Sequence, residues 1–324
     1  MKFKKCAALL LVSSCLLTGC TTSSAKKVDS KYVVASLEKG NKTKNIFADN
    51  LYKDIIDNSS NNSTVFNAVL QNLVDQKFPV NDDMKEDAAT IIKQIKSAYK
   101  SNYGDNYKDS LNQALTSAGY KNLSEYRQRM IKQIQYANFL LDYIDDHFDD
   151  VFNDYYQQCA PKYVSLIKIS VSDTSSPTDN ETSKLNEVKE LISNTDKSFG
   201  DIAQDYSDDS TSSKKGSLGI VDSKDTSGIA NSYGKDVFNA IEALSEGQVS
   251  DVITGDDGYY FVKVTSTDKK TLKKELKKTD IDSPLLAYDD YLQYVVYNSY
   301  KINYKDKDIK KIVQEVVNKA LEER

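Results

Sequence analysis

Histidine is almost missing from this chain: 324 residues hold a single one, His147, inside the acidic run "DDHFDD". A lone imidazole cannot build a histidine-based metal cluster, and in that setting it reads as a solvated residue near a helix end rather than a ligand or a base. Basic residues do not dominate either. Lys and Arg number 43 against 48 Asp and Glu, a formal net charge of −5. An acidic surface argues against nucleic acid as a partner, because phosphate binding is carried by clustered Lys and Arg. It argues equally against adhesion to anionic lipid through a basic patch. Beyond the N-terminus no apolar run approaches the roughly 20 residues that span a bilayer.

What the N-terminus does contain is a basic opening, "MKFKK", and a short apolar run, "CAALLLVSSCLL". That run has the length of a signal-peptide core and is too short for a comfortable membrane span. It ends in "LTGC", Leu17 to Cys20, ahead of the polar stretch "TTSSAKK". The arrangement is similar to the bacterial lipobox, whose cysteine thiol is acylated and becomes the mature N-terminus. Residues 1–19 are therefore expected to be a lipoprotein signal peptide, and 20–31 a lipidated tether attached at Cys20. Each buried CH₂ contributes only ~0.8 kcal/mol, so stable anchoring takes two or more acyl chains. Of the four cysteines, Cys6 and Cys15 leave with the signal, Cys20 is lipidated, and Cys159 alone remains. That count excludes an intramolecular disulfide and a structural zinc site in the mature chain. The expected location is the extracytoplasmic face of a bacterial cell membrane.

From Tyr32 to Phe152 the hydrophobic pattern is mostly helical. "STVFNAVLQNLVDQKF" places Val65, Phe66, Val69, Leu70 and Leu73 on one face, with Ser63 or Thr64 as the N-cap. "NDDMKEDAATIIKQIKSAYKSNYG" starts on an Asn/Asp cluster and stops before Gly104. "LSEYRQRMIKQIQYANFLLDYIDDHF" carries a long stripe through Met130, Ile134, Phe139 and Ile144, with Ser124 as its cap. Near Tyr163 the period changes. "YVSLIKISVS" is β-branched and follows Pro161. Helices "SKLNEVKELISN" and "SFGDIAQDYS", a strand near "GSLGIV", a helix "KDVFNAIEALSEG" and a closing hairpin "QVSDVITGDDGYYFVKV" come next. That order describes an α+β domain of ordinary size. After Lys269 two amphipathic helical stretches return, with Leu285, Leu292 and Val296 in one and Ile312, Val313 and Val316 in the other. Their stripes must be buried against something, and the N-terminal helices are the obvious partner.

The central stretch resembles the parvulin family of peptidyl-prolyl isomerases. The residues that carry the resemblance are "YVSLIKISV", "FGDIAQDYSDDSTSSKKGSLGIV" and "VFNAIEALSEGQVSDVITGDDGYYFVKV". Together with the lipobox and the flanking helices, the whole chain resembles PrsA-type foldases, and its N-terminal part is similar to the chaperone region of SurA-type proteins. The fold class this implies is α+β: a parvulin-like domain (158–268) inserted in a mostly helical chaperone domain. The latter would be built from the N-terminal segment (32–157) and C-terminal helices (269–324). The resemblance implies a membrane-anchored foldase for secreted proteins. Its partners would be unfolded or partly folded clients and the membrane, without a cofactor or a metal; a homodimer is left open.

The departures fall in the centre of the family's site. Leu166 and Tyr260 occupy the positions of the two family histidines, while the acidic loop residue is kept as Asp209. The proline cup aligns with Tyr233 and Val237, or with Phe238 on a one-residue shift, and the "GGDLG" loop is shortened to "GSLG", with Leu218 inside it. The resemblance thus assigns Asp209, Tyr260 and Leu166 to the catalytic positions and Tyr233, Val237, Phe238 and Leu218 to peptide binding. Prolyl isomerisation requires no nucleophile, only a site that binds the twisted amide better than the planar one. Two readings follow: an isomerase with a rebuilt site, or a catalytically weak holdase that uses the domain for peptide binding alone. An unpaired buried carboxylate is costly, so Asp209 is expected either to turn to solvent or to be protonated.

Overall fold

The computed structural model describes residues 27–28, 31–39, 42–194, 196–277 and 281–324. The signal stretch and Cys20 lie outside the described residues. The chain divides into two compact units. One is Asn81–Asp290; the other joins the described residues up to Val80 with Tyr291–Arg324.

The unit built from the two ends begins with strands, not helices. Strands β1 (Lys27–Val28), β2 (Lys31–Lys39) and β3 (Lys42–Phe47) form an antiparallel sheet in that order. The helical expectation from Tyr32 is corrected here: "KYVVAS" is rich in β-favouring residues and pairs with "KTKNIF" as a ribbon. Helices α1 (Ala48–Ile56) and α2 (Asn62–Lys77) follow. Asn61, not Ser63 or Thr64, occupies the N-cap position of α2.

The larger unit opens with four helices: α3 (Asp82–Tyr103), α4 (Tyr107–Ser117), α5 (Leu123–Asp146) and α6 (Phe148–Cys159). Asn81 caps α3 by accepting from the Met84 N–H at 2.9 Å. Asn122, rather than Ser124, caps α5 through the Glu125 N–H at 3.0 Å. Asparagine is as good an N-cap as serine, so composition alone could not choose between neighbours.

The central sheet comes next, with β4 (Lys162–Ser170), α7 (Asp179–Asn194), α8 (Phe199–Tyr206), β5 (Ser217–Val221), α9 (Ile229–Tyr233), α10 (Lys235–Ala243), β6 (Ile253–Gly255) and β7 (Gly258–Ser266). Strand order is β5-β4-β7-β6, all antiparallel. Successive side chains of β4 and β7 alternate between faces. Ile167, Ile169 and Phe261 pack with Leu185, Val188 and Ile202 under α7 and α8. Val164, Leu166, Tyr260 and Val262 pack with Val237 and Ile241 under α9 and α10. Helix α11 (Lys269–Leu276) ends the described part before residue 281.

The long amphipathic stretch expected from Ser283 is broken up. Pro284–Leu286 form a single 3-10 turn capped by Ser283, and only α12 (Leu292–Ser299) is helical. In the unit of the two ends, α13 (Lys307–Glu323) packs on α2. Phe66 of α2 sits between the rings of Tyr294 and Tyr297, with centroids 4.9 and 5.1 Å away.

Candidate functional site

The face of the sheet under α9 and α10 carries the residues singled out by sequence. Leu166 and Tyr260, which the resemblance set at the positions of the family histidines, are 0% and 2% exposed. Leu166 stands opposite Val262 in the ladder, and Lys168 opposite Tyr260. Leu166 is therefore floor, not functional edge. Its backbone N–H donates to the Gly216 carbonyl at 2.8 Å. A Cβ on Gly216 would lie 2.4 Å from the Leu166 oxygen and 2.8 Å from Ala203 Cβ, so the shortened "GSLG" loop can approach β4 only with glycine at 216.

Asp209 follows α8 and is buried at 8% exposure. Its Oδ1 accepts from the Thr211 N–H at 2.9 Å and faces the Tyr233 hydroxyl at 3.4 Å. It does not turn to solvent, and the Tyr233 phenol of α9 faces it. The 3.4 Å contact is long for O–H···O, and a small movement of α9 would tighten it, as unliganded sites often require. Burial, then the nearby Asp209 carboxylate, raises the Tyr233 phenol well above its usual range.

Tyr260 makes a different bond. Its hydroxyl donates to Asp257 at the tip of the β6–β7 hairpin, and the Lys168 ammonium pairs with the same carboxylate. Lys168 also lies 5.5 Å from the Tyr260 ring centroid, within cation–π range. The two tyrosine rings meet edge to face at 6.1 Å. Burial chiefly, and the bond to Asp257, push the Tyr260 phenol up as well. Gly255 makes room for this ring, since a Cβ there would fall 2.7 Å from Tyr260 Cε2.

Of the residues aligned with the proline cup, Val237 is buried in the floor at 1% exposure. Leu218, Tyr233 and Phe238 are half buried and pack on its rim. Lys168 and Asp257 were not singled out from sequence. A signal existed: Lys168 is two residues from Leu166 in a strand, which places both on one face. Nothing local in "TGDDGYY" distinguishes Asp257 from an ordinary turn residue.

Away from this face, Cys159 is buried at the end of α6, and burial together with Asp222 pushes its thiol up to about 11. His147 lies between α5 and α6, stacked on Tyr143 at 4.1 Å. Among the described residues no group of His, Cys, Asp and Glu is placed to hold a metal ion, and no helix is long and apolar enough to cross a membrane.

The site thus offers an apolar floor, a half-buried aromatic rim, and a buried carboxylate facing a phenol. It contains no activated nucleophile. Residues 166–266 match the family model for a rotamase, the PPIC-type PPIASE domain. The chain is 31% identical over 159 residues to the foldase protein PrsA of Staphylococcus aureus, covering 47% of each chain. It is 35% identical over 136 residues to that of Staphylococcus epidermidis, covering 40% of this chain and 39% of the relative. The chain thus spans about half the length of the relatives it matches. Among solved structures it is similar to the foldase protein PrsA of Streptococcus pneumoniae, at 19% identity and a TM-score of 0.40 over 87% of this chain and 99% of that one. PrsA of Bacillus subtilis gives 21% identity and the same TM-score, over 87% and 98%.

Proposed function

With residues 166–266 belonging to the PPIC-type rotamase family and the chain related to the PrsA foldases, we propose that this protein is a foldase acting on secreted proteins after translocation. In this reading Cys20 carries the lipid anchor on the extracytoplasmic face of the membrane. The helices within segments 32–157 and 269–324 hold unfolded or partly folded clients, and the central domain takes their X–Pro segments on the α9–α10 face.

The observation that carries the reading is the Asp209–Tyr233 pair standing over an apolar floor inside a rotamase-family domain. The barrier to X–Pro rotation is amide resonance, and the reaction takes tens to hundreds of seconds uncatalysed. The proline ring sits on Leu218, Tyr233 and Phe238, with Val237 beneath them as floor. Removing the amide from water disfavours its planar, charge-separated form. The Tyr233 hydroxyl gives its one proton to the Asp209 carboxylate, so the pair acts as a fixed polar wall beside the twisted amide and not as a proton donor to it. No proton leaves the peptide, so a site without histidine can still lower the barrier through shape and desolvation.

A second reading, a holdase that binds peptide with little turnover, is favoured by one observation: Leu166 is wholly buried and has no polar group to offer. A proline-peptide isomerisation assay on the full chain, set beside Leu166→His/Tyr260→His, decides between them. Measurable turnover in the parent supports the isomerase; binding without turnover, restored in the double variant, supports the holdase. If neither protein binds a proline peptide, the central domain is a spacer and the site reading fails.

A further inference from the structure

The short helix that carries Tyr233 is held from outside the sheet. Helix α9 spans five residues, Ile229–Tyr233, too few to persist on intrinsic propensity. Its first turn is tied by Asp225, whose carboxylate accepts from the Ile229 N–H at 2.5 Å and the Ala230 N–H at 3.0 Å. Asp225 itself has φ +52, a conformation that a β-carbon penalises. The loop must therefore be fixed by something stronger than its own preferences. That something is Asp222, 0% exposed. Its Oδ1 accepts from the backbone N–H groups of Lys224 at 3.0 Å and Thr226 at 3.2 Å. Its Oδ2 accepts from the Thr226 hydroxyl and, at 2.8 Å, from the hydroxyl of Tyr155 on α6. A second tie runs beside it: the Lys224 ammonium donates to the Tyr288 carbonyl at 2.6 Å, and Tyr288 packs edge to face on Tyr155 at 5.3 Å.

We propose that the buried Tyr155–Asp222 hydrogen bond is a positioning device for the site: it fixes the 222–228 loop on α6 and thereby sets where α9 presents Tyr233 to Asp209. The proposal rests on the reading of the α9–α10 face as a proline-peptide site. Physically, a fully buried carboxylate is tolerable only while its acceptor capacity is filled. Removing the Tyr155 donor leaves Oδ2 short of a partner, and the cheapest relief is for the loop to open toward water. Helix α9, one turn long and joined to α10 through Gly234 at φ +98, moves with it. The Tyr233–Asp209 contact, already at 3.4 Å, is the first to be lost. Helix α10 is secured separately, by the Lys162 ammonium donating to the Ile241, Glu242 and Leu244 carbonyls at 2.9, 2.6 and 3.1 Å, and stays.

The test compares the full chain with Tyr155→Phe and Tyr288→Phe. Tyr155→Phe removes the hydroxyl on Asp222 and keeps the ring; Tyr288→Phe removes the hydroxyl that donates to Asp154 at 3.0 Å in the same wall. Hydrogen exchange is read separately over 229–234 and 235–243, with the affinity for a labelled Ala-Ala-Pro-Phe peptide. Loss of one such bond corresponds to a change of about fivefold. Tyr155→Phe is expected to speed exchange over 229–234 and weaken peptide binding by about that factor, with 235–243 unchanged. Tyr288→Phe should move neither. Thr226→Val, which removes the loop's own donor to Asp222, should reproduce the Tyr155→Phe pattern and carries the test if that variant fails to fold. Exchange over 229–234 unchanged in the folded variant, or equal loosening in Tyr288→Phe, overturns the proposal. Loosened exchange with no peptide binding even in the parent leaves the clasp standing and removes the site reading instead.

Discussion

The two faces of the central sheet are made by alternate residues of the same two strands, and they differ in kind. Under α7 and α8, β4 and β7 contribute Ile167, Ile169 and Phe261 to an apolar cluster with Leu185, Val188, Phe199 and Ile202. Under α9 and α10 the same strands contribute Leu166 and Tyr260 to an apolar floor, but Lys168 lies over the Tyr260 ring, and Asp209 and Asp257 bond to the phenols beside them. Packing alone explains the first face. A core built for stability gains nothing from a buried carboxylate and a largely buried lysine that apolar residues of similar size could replace. The polar groups on the second face are better accounted for as parts of a site than as packing.

The largest effect separating the two faces should come from Phe261→Ala. It empties the α7–α8 core and is expected to cost about 3–5 kcal/mol in denaturant unfolding, while the folded fraction keeps its affinity for a proline peptide. Lost affinity at full folding would mean that the faces are coupled and the contrast is misdrawn. A smaller but more telling effect concerns pH. Residues 160–268 contain no histidine, so peptide binding should be flat from pH 5 to 8. Burial raises both Tyr233 and Tyr260 above the ordinary phenol value of about 10. The folded state thus holds those protons more tightly than the unfolded chain. Their contribution to stability is complete below about pH 10 and is lost as pH rises toward the folded-state values. A bell-shaped binding profile centred near neutrality would contradict this. The smallest effect should come from Lys168→Met. Its ion pair has Lys168 13% and Asp257 67% exposed, and pairs open to solvent on one side contribute about 0–1 kcal/mol. Thermal unfolding should therefore shift by only a few degrees.

Much of the central domain was legible because its signals are local. The β-branched run at 163–170, the 3.6-residue stripes of α7 and α8, and the Asp257-Gly258 turn each name an element without tertiary help. Leu166 and Tyr260, which the resemblance assigned to catalytic positions, and Val237, assigned to peptide binding, lie in one cluster. The bonding was not legible. Whether Asp209 would find a partner depended on α9 folding back across the sheet, a contact between residues 209 and 233 that no spacing rule encodes. The hydroxyl of Tyr260 is taken by Asp257, three residues away at a turn, and the sequence position gives no sign of that bond. The strands at 31–47 escaped notice because their alternation is weak and Lys-rich on both sides, which suits a two-stranded ribbon with little to bury.

Tyr233, not Tyr260, is the phenol that partners Asp209, and peptide handling is expected to depend on it. The most direct measurement is a pair of phenol deletions, Tyr233→Phe and Tyr260→Phe, in the full chain, read as affinity and turnover for a proline peptide with unfolding followed in parallel. Losing the donor to a buried carboxylate costs about 1–3 kcal/mol. Tyr233→Phe is therefore expected to weaken peptide handling roughly tenfold or more. Tyr260→Phe, which releases only a bond to a largely exposed carboxylate, should change it less than about threefold. The reverse order, with Tyr260→Phe the damaging substitution and Tyr233→Phe silent, would contradict the claim.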